Sequence, residues 1–328
     1  MKGLAKRALK RRESTLILLF ALLCAAVSLR APNFLSAKNV NTILNDSSLL
    51  VIASLGQFLV ILIGGIDLSM ASNIALVGMA MSLANVAWPG LPAWLLLPGG
   101  AAMGACLGSL TGALVAFGGL PPIIASLGTQ CIYRGVVYLV LKGSWVTATK
   151  MSAGFLALPN SPMLGLKSMV WIAASAALAM IVLMRYTSSG REVYAYGGNR
   201  TAALFAGVRS RKVEVLVFAV SGALAGLAGV LWVSRYGVAQ SETAAGFDLQ
   251  TVAACVLGGV SMAGGSGAAI GVVIGALFFG SINNALTVVR LSPFYQMALQ
   301  GFIILFAIVS NTLIDRRNQM KLAARRSL

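Results

Sequence analysis

Two ionisable side chains stand inside apolar parts of the sequence, where charged residues usually have a function. Asp67 lies in GGIDLS, at a predicted turn, and Arg134 lies near the middle of the run IYRGVVYLV. A charge at the centre of a bilayer costs about 3 kcal/mol or more, so each should face protein or a water-filled cavity. Asp67 is predicted to cap the helix that starts at Met70; the alternative is a role in gating or coupling. Arg134 is predicted to make a structural contact, and pairing with Asp67 or lining a pathway stays open.

The rest of the chain offers little chemistry. It has 8 Asp and Glu residues and no His. It also lacks paired carboxylates at helical spacing, HExxH, GxSxG and the nucleotide-binding pattern GxxxxGK[ST]. Cys24, Cys106, Cys131 and Cys255 lie in apolar runs without CxxC spacing, which is typical of packing residues. We therefore expect no catalytic residue, no metal site, no cofactor and no nucleotide site of its own.

Composition places the chain in a membrane. Of its 328 residues 58% are hydrophobic and 10% are charged, whereas a soluble domain has roughly 25% charged residues. The net charge of +17 is concentrated in residues 1–13, 185–212 and 315–328. Lys and Arg beside spans stay on the cytoplasmic side. The charge therefore indicates anionic membrane lipid and an acidic cytoplasmic partner, and no nucleic acid.

The apolar runs predict an all-α, polytopic membrane domain over residues 14–314, between basic cytoplasmic tails 1–13 and 315–328. A span needs about 20 apolar residues, which gives about ten helices with both termini cytoplasmic. Residues 30–45, 142–167 and 235–248 are predicted to be external. The run before Gly258 is short and could be re-entrant, but the parity of crossings favours a span. The other predicted spans are 14–29, 47–64, 70–88, 93–118, 122–141, 168–184, 213–233, 267–285 and 294–314.

Residues 185–212, called the basic loop below, are predicted to carry a short helix. Gly197–Gly198 should break the preceding segment, and Asn199 is a good N-cap for Arg200–Ala206. Gly207 suits the left-handed position that follows a helix. A helix of about seven residues is marginal in water, so it should rest on a surface.

The apolar residues of this short helix indicate what that surface is. Ala202, Ala203 and Phe205 are predicted to form an exposed apolar face. Such a face fits another protein or the lipid headgroup region, and composition alone leaves both open.

Five stretches in order along the chain carry a resemblance to a known family. The chain resembles the membrane permeases of bacterial ABC importers for monosaccharides, the branch that includes ribose, xylose, rhamnose and autoinducer-2 permeases. The stretches are GGIDLSMAS (64–72), GLPPIIASLGTQCIYRG (119–135), GREVYAYGGNRTAALFAGV (190–208), GALAGLAGVLWVSR (222–235) and AACVLGGVSMAGGSGAAIG (253–271).

The resemblance implies a type II ABC importer permease fold in the bacterial inner membrane. It also implies three partners: cytosolic ABC ATPase subunits, a second permease subunit of the same or a different chain, and a periplasmic sugar-binding protein. It assigns the basic loop to ATPase coupling, which favours the protein surface over lipid. The coupling residues it indicates are Gly190, Arg191, Gly197, Gly198, Asn199, Arg200, Ala202, Ala203 and Gly207.

The cargo is indicated less directly. The stretches DLSMASN (67–73), AGFDLQTVAACVLGGVSMAGG (245–265) and LSPFYQM (291–297) most resemble rhamnose-type permeases, with autoinducer-2 and ribose permeases as alternatives. A secondary sugar transporter is the alternative class, but such proteins usually place carboxylates or His in their core. A membrane scaffold without transport is disfavoured by the coupling stretch.

Overall fold

The protein is a helical bundle. The computed structural model describes residues 24–25, 27–29, 31–292, 294–303, 305–306 and 309. The helices are α1 (Ala37–Leu62), α2 (Met70–Ala87), α3 (Leu96–Ala116), α4 (Pro122–Leu141), α5 (Ala153–Ala157), α6 (Ser168–Tyr186), α7 (Ser188–Gly198), α8 (Arg200–Phe205), α9 (Ser210–Tyr236), α10 (Phe247–Leu257) and α11 (Ala269–Val288). Residues 294–303 are also helical.

Seven helices in the described part of the chain are long and apolar enough to cross a membrane: α1, α2, α3 with the short 3₁₀ turn before it, α4, α6, α9 and α11. The prediction of an all-α polytopic membrane protein is confirmed. Six of these helices begin and end close to the predicted bounds. The predicted span 14–29 lies mostly outside the described residues, as do the tails 1–13 and 315–328.

Helix α1 is the centre of the bundle. Every residue from Ser47 to Leu62 is buried, on all sides of the helix. A helix that is apolar all round is stable only when it is enclosed. Helices α6, α9, α10 and α11 pack around α1.

Helices α3 and α9 pack through glycine. A Cβ atom on Gly104 would lie 2.2 Å from the carbonyl oxygen of Gly222, and one on Gly108 would lie 2.1 Å from that of Phe218. Neither position therefore has room for a side chain. Small residues at helical spacing let two backbones approach closely in lipid.

The start of α1 corrects one sequence prediction. Residues 37–45 were expected to lie in an external connection, but the helix begins at Ala37. Ser36 caps it by accepting a hydrogen bond from the Asn39 backbone N–H at 3.3 Å. The Asn39 side chain also donates to Asn284 Oδ1 of α11 at 3.0 Å. This local cap and the tertiary hydrogen bond to α11 hold a polar segment in helical form.

Helix α10 corrects a second prediction. The run before Gly258 forms a helix of only 11 residues, which rises about 16 Å. The hydrocarbon core of a bilayer is about 30 Å thick, so α10 is too short to span it as a helix. The chain then continues through an irregular glycine-rich segment, residues 258–268, before α11 begins.

Two of the loops predicted to be external are joined. Strand β1 (Val146–Thr147) pairs antiparallel with β4 (Val238–Ala239). Strands β2 (Pro162–Met163) and β3 (Leu166–Lys167) form a hairpin within the first of these loops. The pairing of β1 with β4 places loops 142–167 and 235–248 on the same side of the bundle.

Candidate functional site

The basic loop folds into two helices with defined ends. Helix α7 is capped by Thr187, whose side chain accepts from the Gly190 N–H at 3.1 Å. Helix α8 is capped by Asn199, which accepts from the Ala202 N–H at 3.0 Å. Gly207 has a φ of +85°, where L side chains are strained. The structure thus has the predicted cap, helix and terminal glycine.

The glycines before α8 differ from their prediction. Gly197–Gly198 were expected to break the preceding segment, but α7 runs through both and ends at Asn199. Glycine weakens a helix interior by up to about 1 kcal/mol without forbidding it. The N-cap at Asn199, rather than the glycines, separates α7 from α8.

The exposed face of α8 also differs from its prediction. Ala203 is only 4% exposed and belongs to the core of the protein, so it is not part of an exposed apolar face. Leu204 and Phe205 are 58% and 90% exposed. Ala202 is exposed as expected. The surface available to a partner is therefore formed by Leu204 and Phe205.

A polar cluster ties α8 to α7 and α9. Glu214 is nearly buried and accepts from Tyr196 Oη at 2.5 Å and from Arg200 Nη2 at 3.1 Å. The Arg200 guanidinium lies over the Tyr196 ring, 4.8 Å from its centroid. Burial, and then the hydrogen bond to Glu214, raise the pKa of Tyr196, so its phenol stays protonated and donates. Glu214 and Tyr196 were not predicted, because their roles depend on a contact across 18 residues.

Three glycine-containing segments meet at the end of α7, and we call their contact the glycine junction. The segments are Leu62–Gly65, Gly197–Gly198 and Gly264–Gly265. A Cβ atom on Gly197 would lie 1.8 Å from the Leu62 carbonyl oxygen. The Gly265 N–H donates to the same oxygen at 2.8 Å. A Cβ atom on Gly265 would lie 2.5 Å from Gly198 Cα. The backbones of α1, α7 and the segment after α10 are therefore in direct contact.

Two further contacts hold α7 against its neighbours. A Cβ atom on Gly190 would lie 2.4 Å from the Leu183 carbonyl oxygen of α6. Tyr194 Oη donates to the Gly267 carbonyl oxygen at 2.8 Å. By contrast, Arg191 is exposed. Helix α7 therefore joins the exposed helix α8 to the interior of the bundle.

Asp67 is buried in the turn between α1 and α2, with 2% exposure. Its Oδ1 accepts from the Ser69 backbone N–H at 2.9 Å and from Ser69 Oγ at 2.6 Å. Its Oδ2 accepts from Ser221 Oγ of α9 at 3.2 Å. Ser69 is the N-cap residue of α2, so the carboxylate supports the start of that helix through Ser69 and links it to α9.

Arg134 does not pair with Asp67 in the part of the chain that the structure describes. Its Nη1 donates to the backbone carbonyl oxygens of Ser241 at 2.6 Å and Thr243 at 2.9 Å. Arg134 therefore fastens α4 to loop 235–248. This is a structural contact, the interpretation that the sequence favoured.

Comparisons with known proteins agree with this architecture. Residues 39–308 match the family model described as the branched-chain amino acid transport system / permease component. The ribose import permease protein of Escherichia coli K12 is 37% identical over 94% of this chain and 94% of its own length. The D-allose transport system permease protein of E. coli K12 is 34% identical over 93% of each chain.

A third relative is the autoinducer 2 import system permease protein of Photorhabdus luminescens, which is 31% identical over 91% of this chain and 89% of its own length. No solved structure matches the chain. The family match covers most of the chain, and these relatives are named as permease components of import systems rather than as enzymes. The protein is a multi-pass inner-membrane transport subunit, and the chain belongs to the branched-chain amino acid transport system / permease component family.

Proposed function

We propose that this chain is the permease subunit of an ABC importer for a monosaccharide, driven by ATPase subunits that dock on α8. The observation that carries this proposal is the pair Leu204 and Phe205. They are 58% and 90% exposed on a short helix whose two ends are capped. Large exposed apolar side chains beside polar residues are typical of an interaction site.

The contacts of α7 support a mechanical route for the energy. An ATPase that moves α8 would move α7, since the two helices meet at Asn199. Through Gly197, α7 contacts the end of α1 at Leu62. Interfaces packed backbone to backbone deform little, so a displacement should pass from α8 into the bundle rather than dissipate.

We propose a periplasmic sugar-binding protein and a second permease subunit as the other partners. The resemblance of the chain to monosaccharide permeases supports both. The second subunit could be a copy of this chain or a different permease. Anionic lipid headgroups are the counterpart that we propose for the remaining basic residues of the tails and the basic loop.

The cargo that the relatives favour is ribose or a related aldose. The relatives quoted above are named for ribose, D-allose and autoinducer 2. The sequence stretches favoured rhamnose, and none of these three names supports it. We therefore propose ribose as the first sugar to test, with D-allose, autoinducer 2 and L-rhamnose in parallel.

The docking proposal is tested by co-purification. The permease is expressed with the ATPase subunits of its importer, and the yield of ATPase is measured for Phe205→Ala. Truncation of a central aromatic in an interface typically costs about 2 kcal/mol or more, so binding should weaken about thirtyfold. Phe294→Ala is the matched control, because Phe294 is 83% exposed and lies outside the basic loop. Normal ATPase yield and normal stimulated hydrolysis in Phe205→Ala would refute docking on α8.

A further inference from the structure

A polar cavity lies at the end of the bundle opposite the basic loop. It has a volume of about 370 Å³, within the usual range for small-molecule sites of about 300–1,000 Å³. Trp232 in its wall is 22 residues beyond Ser210, the start of α9, or about 33 Å along the helix axis. Its wall includes Asp46, Ser47, Trp232, Gln250, Asn283 and Asn284. We call it the external cavity.

One side of the external cavity is aromatic. The Trp232 ring lies 4.9 Å from Phe247 in an edge-to-face arrangement and 5.3 Å from Tyr236. This packing fixes the indole, and aromatic rings combine a large apolar surface with a polar group at one end. A flat apolar face of this kind suits the C–H face of a sugar ring.

The other side is rich in amides. Asn284 Oδ1 accepts from Asn39 at 3.0 Å, and Asn283 Oδ1 accepts from Gln300 at 3.1 Å. The amide oxygens are thus held by protein, while each NH₂ group can donate to a guest. Gln250 offers a further amide at the cavity wall.

Two further groups extend this polar wall. Ser47 is 1% exposed, and its Oγ is buried without a hydrogen-bond partner among the described residues. Asp46 forms an ion pair with Arg235, which offsets its charge. The cavity therefore presents mainly neutral donors and acceptors, which suit neutral hydroxyl groups better than an ion.

Two glutamines on the helix after α11 turn their side chains toward the cavity. Gln296 and Gln300 are partly buried and face the cavity, whereas Phe294, Tyr295 and Met297 beside them are exposed. On a helix in an apolar environment, amide side chains face away from lipid and toward polar partners. Gln300 has Asn283 as such a partner.

We infer that the external cavity is a monosaccharide site on the permease itself, which receives the sugar after the binding protein releases it. The inference rests on the proposed function, since it takes its class of ligand from it. A site whose polar groups are left unpaired by the wrong ligand rejects that ligand strongly. The permease would therefore select for hydroxyl groups, in addition to the selection made by the binding protein.

The first test separates transport from ATP hydrolysis. The complete complex is reconstituted in proteoliposomes with D-ribose, D-allose or L-rhamnose, and uptake is measured with each sugar that the wild type accumulates. Asn283→Leu should lower sugar moved per ATP hydrolysed about fivefold to tenfold, as expected for a lost hydrogen bond. Binding-protein-stimulated hydrolysis should stay normal, because α8 is unaltered. Asn160→Leu, in a loop away from the cavity, is the control.

The second test blocks the cavity without removing a folding contact. Gln250→Cys, in a background without the four native cysteines, is treated with a bulky impermeant thiol reagent. Uptake should fall at least tenfold while stimulated hydrolysis continues, and Thr149→Cys on the exposed loop should be unaffected. Normal uptake after complete labelling of Gln250→Cys would overturn the inference. A wild-type complex without stimulated hydrolysis or uptake would instead refute the proposed function.

Discussion

Gly197 lies against the backbone of Leu62: a Cβ atom added to Gly197 would be only 1.8 Å from the Leu62 carbonyl oxygen. Leu62 ends α1, and its carbonyl also accepts a hydrogen bond from Gly265 at 2.8 Å. Carbonyls at helix ends lack a partner within the helix, and Gly265 supplies one here. The most buried helix of the bundle therefore ends against α7, the helix that carries α8. This contact is a direct backbone link between α7 and the core helix α1.

The glycine junction gives the first prediction. Gly197→Ala should disrupt the contact with Leu62, because neither partner atom is a flexible side chain that could move away. Gly198→Ala is the matched control, since a Cβ atom there meets nothing within 4 Å. Both variants are compared for the melting temperature of the purified permease and for stimulated ATP hydrolysis. Gly197→Ala should lower stimulated ATP hydrolysis, with or without a lower melting temperature, whereas Gly198→Ala should leave both quantities unchanged. Equal behaviour of the two variants would contradict the close approach.

Two substitutions, one in α8 and one just after it, should act by different routes. Ala203 is 4% exposed, so Ala203→Trp should overpack the core and lower stability by about 1–3 kcal/mol. Gly207→Val places a β-branched residue at a φ of +85°, at a cost of about 1–2 kcal/mol. A Cβ atom at Gly207 meets nothing within 4 Å, so only the end of α8 should be disturbed.

The two routes are separated by two measurements. The melting temperature of the permease should fall for Ala203→Trp and fall much less for Gly207→Val, because the end of α8 is free to rearrange and relieve the strain. The yield of co-purified ATPase, taken per folded permease, should fall for Gly207→Val. A folded Gly207→Val permease with normal ATPase yield would show that the end of α8 is not needed for docking.

The polar cluster gives a third prediction, on stability. Tyr196→Phe leaves the nearly buried Glu214 without one of its two donors; removal of one partner of a buried hydrogen bond costs about 1–3 kcal/mol. Arg200→Ala should cost less than about 1 kcal/mol, because the Arg200 side chain is 56% exposed and exposed ion pairs contribute little. Tyr186→Phe, at an exposed tyrosine, is the control for loss of a hydroxyl group. Thermal unfolding of the purified permease ranks the three variants. A larger loss of stability for Arg200→Ala than for Tyr196→Phe would contradict the greater contribution assigned to Tyr196.

The sequence predicted local structure well where local rules decide it. The cap at Asn199 and the left-handed Gly207 follow from the preferences of those residue types, and helix α4 has the predicted bounds. The class of protein followed from composition and from five stretches in family order. These features depend on neighbours in the sequence, so a single chain is enough to show them.

Tertiary contacts decided the rest. Ala203 was expected to be exposed because nothing in RTAALF shows which side of α8 faces the core. The start of α1 depends on Asn39 and Asn284, which are 245 residues apart. The external cavity was also missed, although the pair Gln296 and Gln300, four residues apart in an apolar helix, is a signal that could have indicated it. The meeting of three glycine segments has no local signature.

The orientation of the bundle is the fourth prediction. Loop 142–167 should face outside and the basic loop should face inside, because Lys and Arg near spans remain cytoplasmic. Lys150→Cys, in a background without native cysteines, should react with an impermeant thiol reagent in cells whose outer membrane is permeable. Arg200→Cys should react only after the inner membrane is opened. Both side chains are exposed, so a difference in labelling reports sidedness rather than burial. The opposite pattern would invert the topology.

The last prediction concerns Asp67 and Arg134, which the sequence left open as a possible pair. In the structure Asp67 bonds Ser69 and Ser221, and Arg134 bonds the carbonyls of Ser241 and Thr243. Because the two side chains share no hydrogen-bond partner, their substitutions should act independently. Asp67→Asn should be mild, since the amide oxygen of Asn can still accept from the Ser69 N–H, as it does in many helix caps. Asp67→Leu should be severe, because it leaves that N–H without an acceptor.

A double-mutant cycle on sugar uptake and on melting temperature measures the coupling between the two positions. For Asp67→Asn with Arg134→Leu, the coupling energy should be within about 0.5 kcal/mol of zero, the value expected for independent sites. Arg134→Leu alone should loosen loop 235–248, which loses the two bonds from Arg134 and keeps the one that Tyr138 donates to Glu242. Increased labelling of a cysteine placed at Thr243, which is 4% exposed, would report that change. Rescue of Asp67→Asn by Arg134→Leu would show that the two charges interact during transport and would contradict the separate roles assigned here.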